Sequence, residues 1–407
     1  MRSNIEKTTI TKSISSSSLS HSYGKHPNSI YDVESVGRVH LITSDLWEAI
    51  TGEKMTTNSL YHVIDSSFPI NDNLPYFGIH STNNNTYLQI SKDPQKSRAL
   101  QHRITEASES ELSEIFNSLL PCLYELVYDQ SANFVIQKLC EYASNDQHQL
   151  LLKFFLANAL AIVEHQIACR VLQRFIECTS KPNTEALFAA LKQNLLDLCL
   201  SPNGNHIVQR FVIALPEKLP IIISTILPSV TPLAMDNCGC RIVQRLFEQY
   251  PIEQLSPLVN EVMKNASELA INQYGNYVVQ YILASQKREY VANLLYIFRG
   301  RFYSFSIHKF ASNVIEKCIS SATQSEREAI FAEIIGYDGD YNKSRILSMA
   351  EDQFGNYVIQ RIIEYGSRNQ KYAVYSVFDA HYNTLHLGQY SRHVLTRLMH
   401  LGFDFNC

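Results

Sequence analysis

Apolar residues recur along most of this chain with the period of an α-helix, and they frame a short polar phrase that appears nine times. In the second copy Val135 and Leu139 fall on one helical face, while Asn133 and Gln137, four residues apart, share another. A second apolar helix is predicted from about 149 to 162, and turn residues separate the units. The pattern predicts an all-α chain with two or three short helices per unit, and no strand pattern of comparable strength.

The phrase consists of a polar residue, a flat or basic residue, two apolar residues, and Gln or Glu. Its first positions are separated by 36, 36, 36, 35, 36, 36, 44 and 36 residues. A fixed period in this range is typical of a solenoid, in which each unit buries its apolar face only against its neighbours. The first positions are Ser97, Asn133, Cys169, Asn205, Cys240, Asn276, Ser312, Asn356 and, in a degenerate ninth copy, Arg392.

Positions one and five lie on the same helical face, so stacking eight units aligns their side chains into one polar stripe. The fifth positions are Gln101, Gln137, Gln173, Gln209, Gln244, Gln280, Glu316 and Gln360. A single Asn/Gln pair on a helix is usually a solvated face. Eight pairs in register form one continuous polar stripe, which indicates a function that a single pair would not support.

These residue types match the edges of nucleobases. Glu316, the only acid among the eight fifth positions, can accept from both donors of guanine. Uracil offers acceptor, donor, acceptor, which suits an Asn with a Gln. Adenine offers a donor beside an acceptor, which one amide satisfies, leaving room for a small Ser or Cys. We therefore expect the first and fifth positions to contact base edges.

Position two holds mostly planar groups that can stack on base faces, with about 1–3 kcal/mol per base expected. The residues are Arg98, Phe134, Arg170, His206, Arg241, Tyr277, Asn313 and Tyr357. A lone residue of this kind would more simply pack or face solvent, but the series favours stacking. Position six is basic in six of the eight units, which suggests a track for phosphates.

Composition and charge exclude several classes of protein. The chain has 407 residues, 45% of them hydrophobic, and a net charge of −4, so any cationic surface must be local. Nine cysteines without a CxxC pair and no secretory leader indicate a reduced, intracellular protein. The longest apolar run is too short for a membrane span. We expect no metal and no cofactor, and because no nucleophile–base set shares a motif, we expect no enzyme.

The flanking regions are less regular. Residues 1–28 are Ser/Thr-rich and predict a disordered tail, whereas 29–75 give no clear prediction. A piece from about 76 to 90 has the size of a half-repeat and is a candidate cap. The long step of 44 residues places an insertion at 336–342, which contains two tyrosines. It is either a plain hydrophilic loop or a site for a protein partner.

The phrases Asp352-Gln-Phe-Gly-Asn-Tyr-Val-Ile-Gln360, Ile271-Asn-Gln-Tyr-Gly-Asn-Tyr-Val-Val-Gln280, Cys238-Gly-Cys-Arg-Ile-Val-Gln244 and Ala311-Ser-Asn-Val-Ile-Glu316 closely resemble the Pumilio/PUF family of RNA-binding proteins. The resemblance covers about 76–407. It implies a right-handed α-solenoid crescent of eight three-helix repeats with flanking half-repeats, which binds single-stranded RNA on its concave face with one base per repeat.

The resemblance further implies that Asn with Gln recognises U, Cys or Ser with Gln recognises A, and Ser with Glu recognises G. From the eighth repeat to the first, the expected element is 5′-UGUAUAUA-3′. The family then implies a cytoplasmic, monomeric regulator of mRNA 3′ untranslated regions that recruits repressor or deadenylase machinery. Lys96 and Ala99 depart from the family pattern in the first unit, and Arg392, His393 and Thr396 fit a terminal cap rather than a ninth base.

Two other functions are alternatives to sequence-specific RNA binding. A protein-binding α-solenoid would show no coherent base code, whereas the pairs here are complete at eight positions. A relative of the ribosome-assembly branch of the same superfamily would bind RNA with little sequence preference, but those proteins depart strongly from the code and often carry long basic tracts.

Overall fold

The computed structural model describes residues 84–337 and 339–405. The predicted tail 1–28 and the segment 29–75 therefore lie outside the described residues. Within the described range the chain is a stack of three-helix repeats, where the sequence pattern predicted two or three helices per unit. Each repeat has a short first helix, a middle helix that begins at or just before position one, and an outer helix.

The first helices are Asn84–Lys92, Leu123–Tyr128, Ala159–Glu164, Leu195–Leu200, Val230–Met235, Ala266–Ile271, Phe302–Ser306, Lys343–Glu351 and Tyr382–Leu385. The middle helices are Lys96–Glu106, Ala132–Tyr142, Ala168–Cys178, Gly204–Ala214, Gly239–Gln249, Gly275–Ala284, Ala311–Ser321, Gly355–Tyr365 and Ser391–His400. The outer helices are Glu109–Leu119, Asn145–Ala157, Lys181–Leu191, Leu219–Ile226, Ser256–Lys264, Arg288–Phe298, Gln324–Ile335 and Arg368–Ala380. Short 3₁₀ turns are Leu120–Cys122, Lys192–Asn194, Pro216–Lys218, Leu227–Ser229 and Ile252–Leu255.

The single helix predicted from about 149 to 162 is in fact two, because the chain breaks at Asn158. Asn158 is non-helical and ends the outer helix of repeat 2, and its side-chain Nδ2 donates to the backbone oxygen of Phe154 at 2.9 Å. The first helix of repeat 3 starts directly after it. Apolar periodicity continues across this junction, which is why the sequence pattern missed the break.

A side chain four residues before position one fixes the start of the middle helix in each of the eight repeats. In repeat 2 the Asp129 Oδ1 accepts from the backbone N–H groups of Ser131 and Ala132, both at 2.8 Å. Such a side chain satisfies N–H groups that a helix leaves unpaired at its N-terminus. The same role falls to Asp93, His165, Ser201, Asp236, Asn272, His308 and Asp352.

Consecutive middle helices form the closest contacts between repeats, and outer helices of neighbouring repeats pack less closely. Positions three and four of the phrase, such as Val135 and Ile136, are fully buried in one continuous core. Because the middle helices are spaced more closely than the outer ones, the stack curves with the middle helices on its concave side. The phrase residues therefore share the inner surface.

The two ends differ from the expectation in detail. Residues 84–92 of the suggested N-terminal half-repeat form the first helix of repeat 1, and 76–83 lie outside the described residues. At the other end, Tyr382–Leu385 and Ser391–His400 form a half-repeat without an outer helix. The following residues fold back, and Phe403 and Phe405 pack against Tyr375.

The insertion forms a small β-hairpin that the sequence pattern did not predict. Strand β1 (Gly336–Tyr337) pairs antiparallel with strand β2 (Asp340–Tyr341). Gly336 has a φ of +96°, a value that favours glycine. Tyr337 is 74% exposed, whereas Tyr341 packs partly against the core.

One helical stretch of the described residues, Pro216–Met235, is long and apolar enough to cross a membrane by length and composition. The structure divides it into four short elements, which contain four prolines and include two 3₁₀ turns. Ile222, Ile226 and Val230 are fully buried in the core of repeats 4 and 5. Its apolar character is thus accounted for by packing between repeats.

Candidate RNA-binding surface

Position one is buried in all eight repeats, beneath the concave surface rather than on it. Asn133 shows the arrangement: its Nδ2 donates to the backbone oxygens of Asp129 at 2.8 Å and Gln130 at 3.0 Å. Asn205 and Asn276 form the same two bonds, and Asn356 forms the first of them. The Asn side chains are therefore anchored to the turn that precedes their own helix.

Position five is held by position one in the four Asn repeats. The Gln Nε2 donates to the Asn Oδ1 at 2.9 Å for Gln137 and Gln209, 3.0 Å for Gln280 and 3.2 Å for Gln360. Each of these Gln side chains is half-buried and keeps one N–H and at least one lone pair of its oxygen for a ligand, since of these four oxygens only the Gln209 Oε1 has a donor among the described residues, the Arg245 Nη2 at 3.5 Å. One donor beside one acceptor can pair with the N3–H and a carbonyl oxygen of uracil.

The Cys and Ser repeats hold their Gln less firmly. In repeat 3 the Gln173 Nε2 lies 3.7 Å from the Cys169 Sγ, a weak contact. Burial raises the pKa of Cys169 and of Cys240, so both are neutral thiols. Ser97 donates to the backbone oxygen of Pro94 at 3.4 Å. These smaller side chains leave more room beside Gln101, Gln173 and Gln244 than Asn would.

Glu316 is the one carboxylate of the series, and it has a partner in the next repeat. The Arg361 Nε donates to the Glu316 Oε2 at 3.1 Å, and the Glu316 side chain is 20% exposed. Burial raises the pKa of Glu316, and the hydrogen bond and charge of Arg361 oppose that rise. The second oxygen, Oε1, is free to accept from a guanine.

Position two points away from the core. Seven of its eight residues are exposed, including Phe134, Tyr277 and Tyr357 at more than half of their surface, and His206 is half-buried. The pKa of His206 is lowered by burial and by the nearby charges of Arg170 and Arg210. A neutral imidazole and three exposed aromatic rings on one concave surface are suited to stacking on bases.

Five of the six basic residues of position six belong to ion pairs that the sequence pattern did not reveal. Each of these five residues pairs with a glutamate at position nine, eight residues after position one, and Arg361 also pairs with Glu316 at position five. Arg174 bonds to Glu177 in its own repeat at 2.7 Å and to Glu141 in the preceding repeat at 3.3 Å. Arg210 reaches back to Glu177 at 2.6 Å, and Arg397 to Glu364 at 3.6 Å.

These pairs alter the expectation of a basic track for phosphates. Lys138, Arg174, Arg210, Arg245 and Arg361 each contact a glutamate, so much of their charge is neutralised within the protein. The i, i+3 spacing of positions six and nine could have been found in the sequence. The pairing between repeats depends on how the middle helices stack, which the sequence alone does not give.

The structure brings all sixteen base-edge candidates and all eight stacking candidates onto the concave side of consecutive middle helices. In the ninth unit the Thr396 hydroxyl donates to the backbone oxygen of Arg392 at 2.9 Å, so no side-chain pair forms there. Among the described residues no group of three or more His, Cys, Asp or Glu could hold a metal ion. The eight described cysteines are free.

Comparisons with known proteins agree with this geometry. Eight segments match the Pumilio-family RNA binding repeat: residues 87–120, 122–153, 158–192, 194–218, 229–263, 265–295, 301–335 and 345–377. Each segment overlaps one of the eight repeats of the structure. The match is to an RNA-binding repeat and therefore favours RNA binding over the alternative of a protein-binding α-solenoid.

Relatives and solved structures support the same assignment. Pumilio homolog 12 of Arabidopsis thaliana is 29% identical over 317 residues, which is 76% of this chain and 52% of the relative. A Pumilio domain-containing protein of Schizosaccharomyces pombe is 28% identical over 72% of this chain and 42% of its own length. The chain thus spans about half the length of these curated relatives.

Among solved structures, a Puf3 RNA binding domain bound to a Cox17 RNA 3′ UTR recognition sequence superposes with a TM-score of 0.70 at 29% identity, covering 77% of this chain and 94% of that domain. PUF-8 in complex with PBE-RNA gives a TM-score of 0.70 at 26% identity, covering 78% and 93%. The eight-repeat solenoid predicted from the sequence is confirmed by these matches.

Proposed function

This chain belongs to the Pumilio (PUF) family of RNA-binding repeat proteins, and we propose that it binds single-stranded RNA sequence-specifically, one base per repeat, along its concave surface. The observation that carries the proposal is the set of eight base-edge pairs held in one register by consecutive middle helices. In the four Asn repeats the pair is oriented before a ligand binds, because the Asn side chain is anchored to the backbone and holds the Gln at position five.

The proposed element is 5′-UGUAUAUA-3′ or a close variant. Repeats with Asn and Gln are assigned to uracil, repeats with Cys or Ser and Gln to adenine, and repeat 7 with Ser312 and Glu316 to guanine. The base order follows from the assumption that the RNA runs antiparallel to the chain. Ser97 and Gln101 in repeat 1 are assigned to the last adenine, although Lys96 replaces the glycine found before position one in repeats 4, 5, 6 and 8.

The biological setting is part of the same proposal. Solved relatives are bound to RNA from 3′ untranslated regions, and we assign this chain to such sites in mRNA, with translational repression or mRNA decay as the outcome. A cytoplasmic location, a monomeric state and a role without catalysis are part of this proposal. Binding requires no metal or cofactor, because every proposed contact is made by protein side chains.

The hairpin at 336–342 is our candidate for contact with repressor or deadenylase machinery. Tyr337, in the first strand of this hairpin, is 74% exposed. The hairpin contains none of the residues proposed to contact base edges. Replacing Tyr337 by Ser should weaken repression of a reporter while leaving RNA affinity unchanged. Equal repression by the variant would remove this hairpin from the proposal.

Selection of random RNA by the purified chain, followed by sequencing of the bound pool, tests the central claim. Enrichment of UGUAUAUA, or of UGUA followed by a near variant, is the expected result. A flat pool despite tight, salt-sensitive binding would favour the ribosome-assembly type of RNA binding. Failure to retain any RNA would favour a protein-adaptor role.

A variant with Tyr277 and Tyr357 both changed to Ala is a useful control in the same selection. It removes two exposed rings and leaves the sixteen base-edge residues in place. Affinity should fall by about 1–3 kcal/mol for each ring, while the selected sequence should stay the same. A changed consensus would mean that position two, and not positions one and five, determines the preferred base.

A further inference from the structure

The arginines at position six make one of two contacts with the preceding repeat, and position nine of that repeat determines which. Where position nine is glutamate, the arginine binds it: Arg174 pairs with Glu141, and Arg210 with Glu177. Where position nine is not acidic, the arginine forms a hydrogen bond with the position-five side chain of the preceding repeat. This happens at two boundaries, between repeats 4 and 5 and between repeats 7 and 8.

At the boundary of repeats 7 and 8, position nine is Ser320, and Arg361 bonds instead to Glu316, 45 residues earlier. At the boundary of repeats 4 and 5, position nine is Ile213, and the Arg245 Nη2 donates to the Gln209 Oε1 at 3.5 Å. Both targets are base-edge residues. The remaining arms of Arg361 and Arg245 bind the position-nine glutamates of their own repeats, Glu364 and Glu248.

We infer that Arg361 is a specificity-determining positioning residue for guanine, acting through Glu316 across the repeat boundary, and that Ser320 permits this by leaving Arg361 without a glutamate in the preceding repeat. The inference rests on the proposed function, because it deepens the role of repeat 7. It assigns part of the base preference of one repeat to a residue of the next.

The geometry shows how Arg361 helps without blocking the ligand. A carboxylate has two oxygens with about four lone-pair directions. Arg361 occupies one direction on Oε2 through its Nε, which leaves Oε1 and the other side of Oε2 for the two donors of guanine. Since Arg361 also bonds to Glu364 at 2.7 Å, its guanidinium is fixed at both ends. A fixed donor holds the Glu316 carboxylate in one orientation.

Two variants test the inference on the full chain: Arg361→Ala removes the donor, and Ser320→Glu offers Arg361 the partner that Glu141 gives to Arg174. Binding is measured to UGUAUAUA and to the three RNAs that carry A, C or U at the second base. Both variants should reduce the preference for G at that base, by about tenfold for Arg361→Ala, which corresponds to one hydrogen bond to a charged group. Preferences at the other bases should be unchanged.

Three controls separate positioning from general damage. Arg288→Ala breaks another ion pair between neighbouring repeats, with Glu326 on the outer helices at 2.7 Å, and should leave base preference unaltered. In a Glu316→Gln background, Arg361→Ala should have no further effect on the second base. The third control is pH. As the pH is lowered, Glu316 becomes protonated and the preference for G is lost. This loss should occur at a higher pH in Arg361→Ala than in the wild type, because the Arg361 side chain lowers the pKa of Glu316.

Each result is decisive. Loss of G preference in both variants, absent in the Glu316→Gln background, supports the inference. Unchanged G preference in both, or weakening that is equal for all four RNAs, overturns it while leaving the proposed function intact. A wild-type chain that binds RNA without preferring G at the second base overturns the assignment of repeat 7 and this inference together.

Discussion

Asn133, Asn205, Asn276 and Asn356 use their amides within the protein before any RNA is bound. Each donates to the backbone of the preceding turn and accepts from a Gln four residues later. The sequence predicted that both members of each pair lie on one face, and they do. It did not predict that the Asn is almost fully buried, because burial depends on the first helix packed beneath it. The exposed part of each pair is the Gln.

Glu316 gives the first prediction at this scale. Changing Glu316 to Gln should lower the preference for guanine at the second base by about 1–3 kcal/mol, the scale of a bidentate base contact. The amide presents one acceptor and one donor where guanine needs two acceptors. Competition binding with RNAs that differ at the second base measures the effect. An unchanged ranking of the four bases would exclude Glu316 from base recognition.

The same substitution has a pH-dependent effect on stability. Burial raises the pKa of Glu316 despite Arg361, so the folded state favours the protonated carboxyl. This group therefore stabilises the fold at a pH below its unfolded pKa. That stability is lost as the pH rises through its folded pKa. Gln cannot ionise. The variant should therefore gain stability relative to wild type between pH 4 and pH 7, by on the order of 1 kcal/mol or less. Urea denaturation at both pH values measures this, and a relative loss at pH 7 would contradict it.

The second prediction compares two repeats that receive the same new pair. Changing Asn205 to Ser and Gln209 to Glu should move the fifth base from U to G. The Arg245 Nε is buried without a hydrogen-bond partner among the described residues, and it can donate to a glutamate at 209 as the Arg361 Nε does to Glu316. RNA selection with the variant measures the shift.

The matched control changes Cys169 to Ser and Gln173 to Glu in repeat 3. There Arg210 already pairs with Glu177, so the new carboxylate lacks a donor from the next repeat. Its shift toward G at the sixth base should be smaller, by about tenfold in relative affinity. Equal shifts in both repeats would show that the neighbouring arginine does not matter.

At the scale of the element, the start of the middle helix is the most constrained part of a repeat. A capping side chain precedes it, and in four repeats a glycine stands directly before position one. A Cβ at Gly239 would lie 2.6 Å from the backbone oxygen of Leu233, in the first helix of the same repeat. That close approach places the buried position-one side chain against the turn.

The third prediction concerns this glycine. Gly239→Ala should destabilise the protein by about 1–3 kcal/mol, because the first and middle helices of repeat 5 must separate to admit the methyl group. Chemical denaturation measures the loss. Ala168→Gly is the control, since repeat 3 already accommodates a Cβ at the same position, and it should cost about 1 kcal/mol from helix propensity. A Gly239→Ala chain within about 0.5 kcal/mol of wild type would mean that this spacing is not tight.

The sequence predicted these elements unevenly, for physical reasons. The period of about 36 residues and the apolar positions identified every middle helix, because helical periodicity and repetition reinforce each other. The break at Asn158 was missed because apolar residues continue on both sides of it. The strands Gly336–Tyr337 and Asp340–Tyr341 were missed because two residues cannot show an alternating pattern. The contact of Arg361 with Glu316 was missed because it depends on the packing of one repeat on the next.

At the scale of the whole molecule, the chain is a nearly one-dimensional stack in which each repeat contacts its neighbours. In such a stack, stability is approximately a sum of repeat terms and boundary terms, and damage at one end need not spread. The net charge of −4 and the paired arginines of position six fit a surface that relies more on base contacts than on phosphate attraction. Function should therefore be separable repeat by repeat.

The C-terminal end of the described residues provides the last prediction, because repeat 8 is covered there by a half-repeat that has no outer helix. Phe403 stacks on Tyr375 at 5.0 Å between ring centroids, and Phe405 stacks on Tyr382 at 5.6 Å. The Tyr375 hydroxyl donates to the backbone oxygen of Asp404 at 2.8 Å. Changing Phe403 and Phe405 together to Ala should loosen the outer helix of repeat 8 and the terminal half-repeat.

Hydrogen exchange should then show lost protection in residues 368–400, with repeats 2 to 4 unchanged, since local opening in a repeat array stays local. RNA binding should lose preference at the first base, which is assigned to Asn356 and Gln360, and keep it at the fifth to eighth bases. Tyr372→Ala, at a ring that is 60% exposed beside the same cluster, is the control and should change neither measurement. If protection and base preference fell equally in all repeats, the stack would be one cooperative unit, and the assignment of single bases to independent repeats would have to be abandoned.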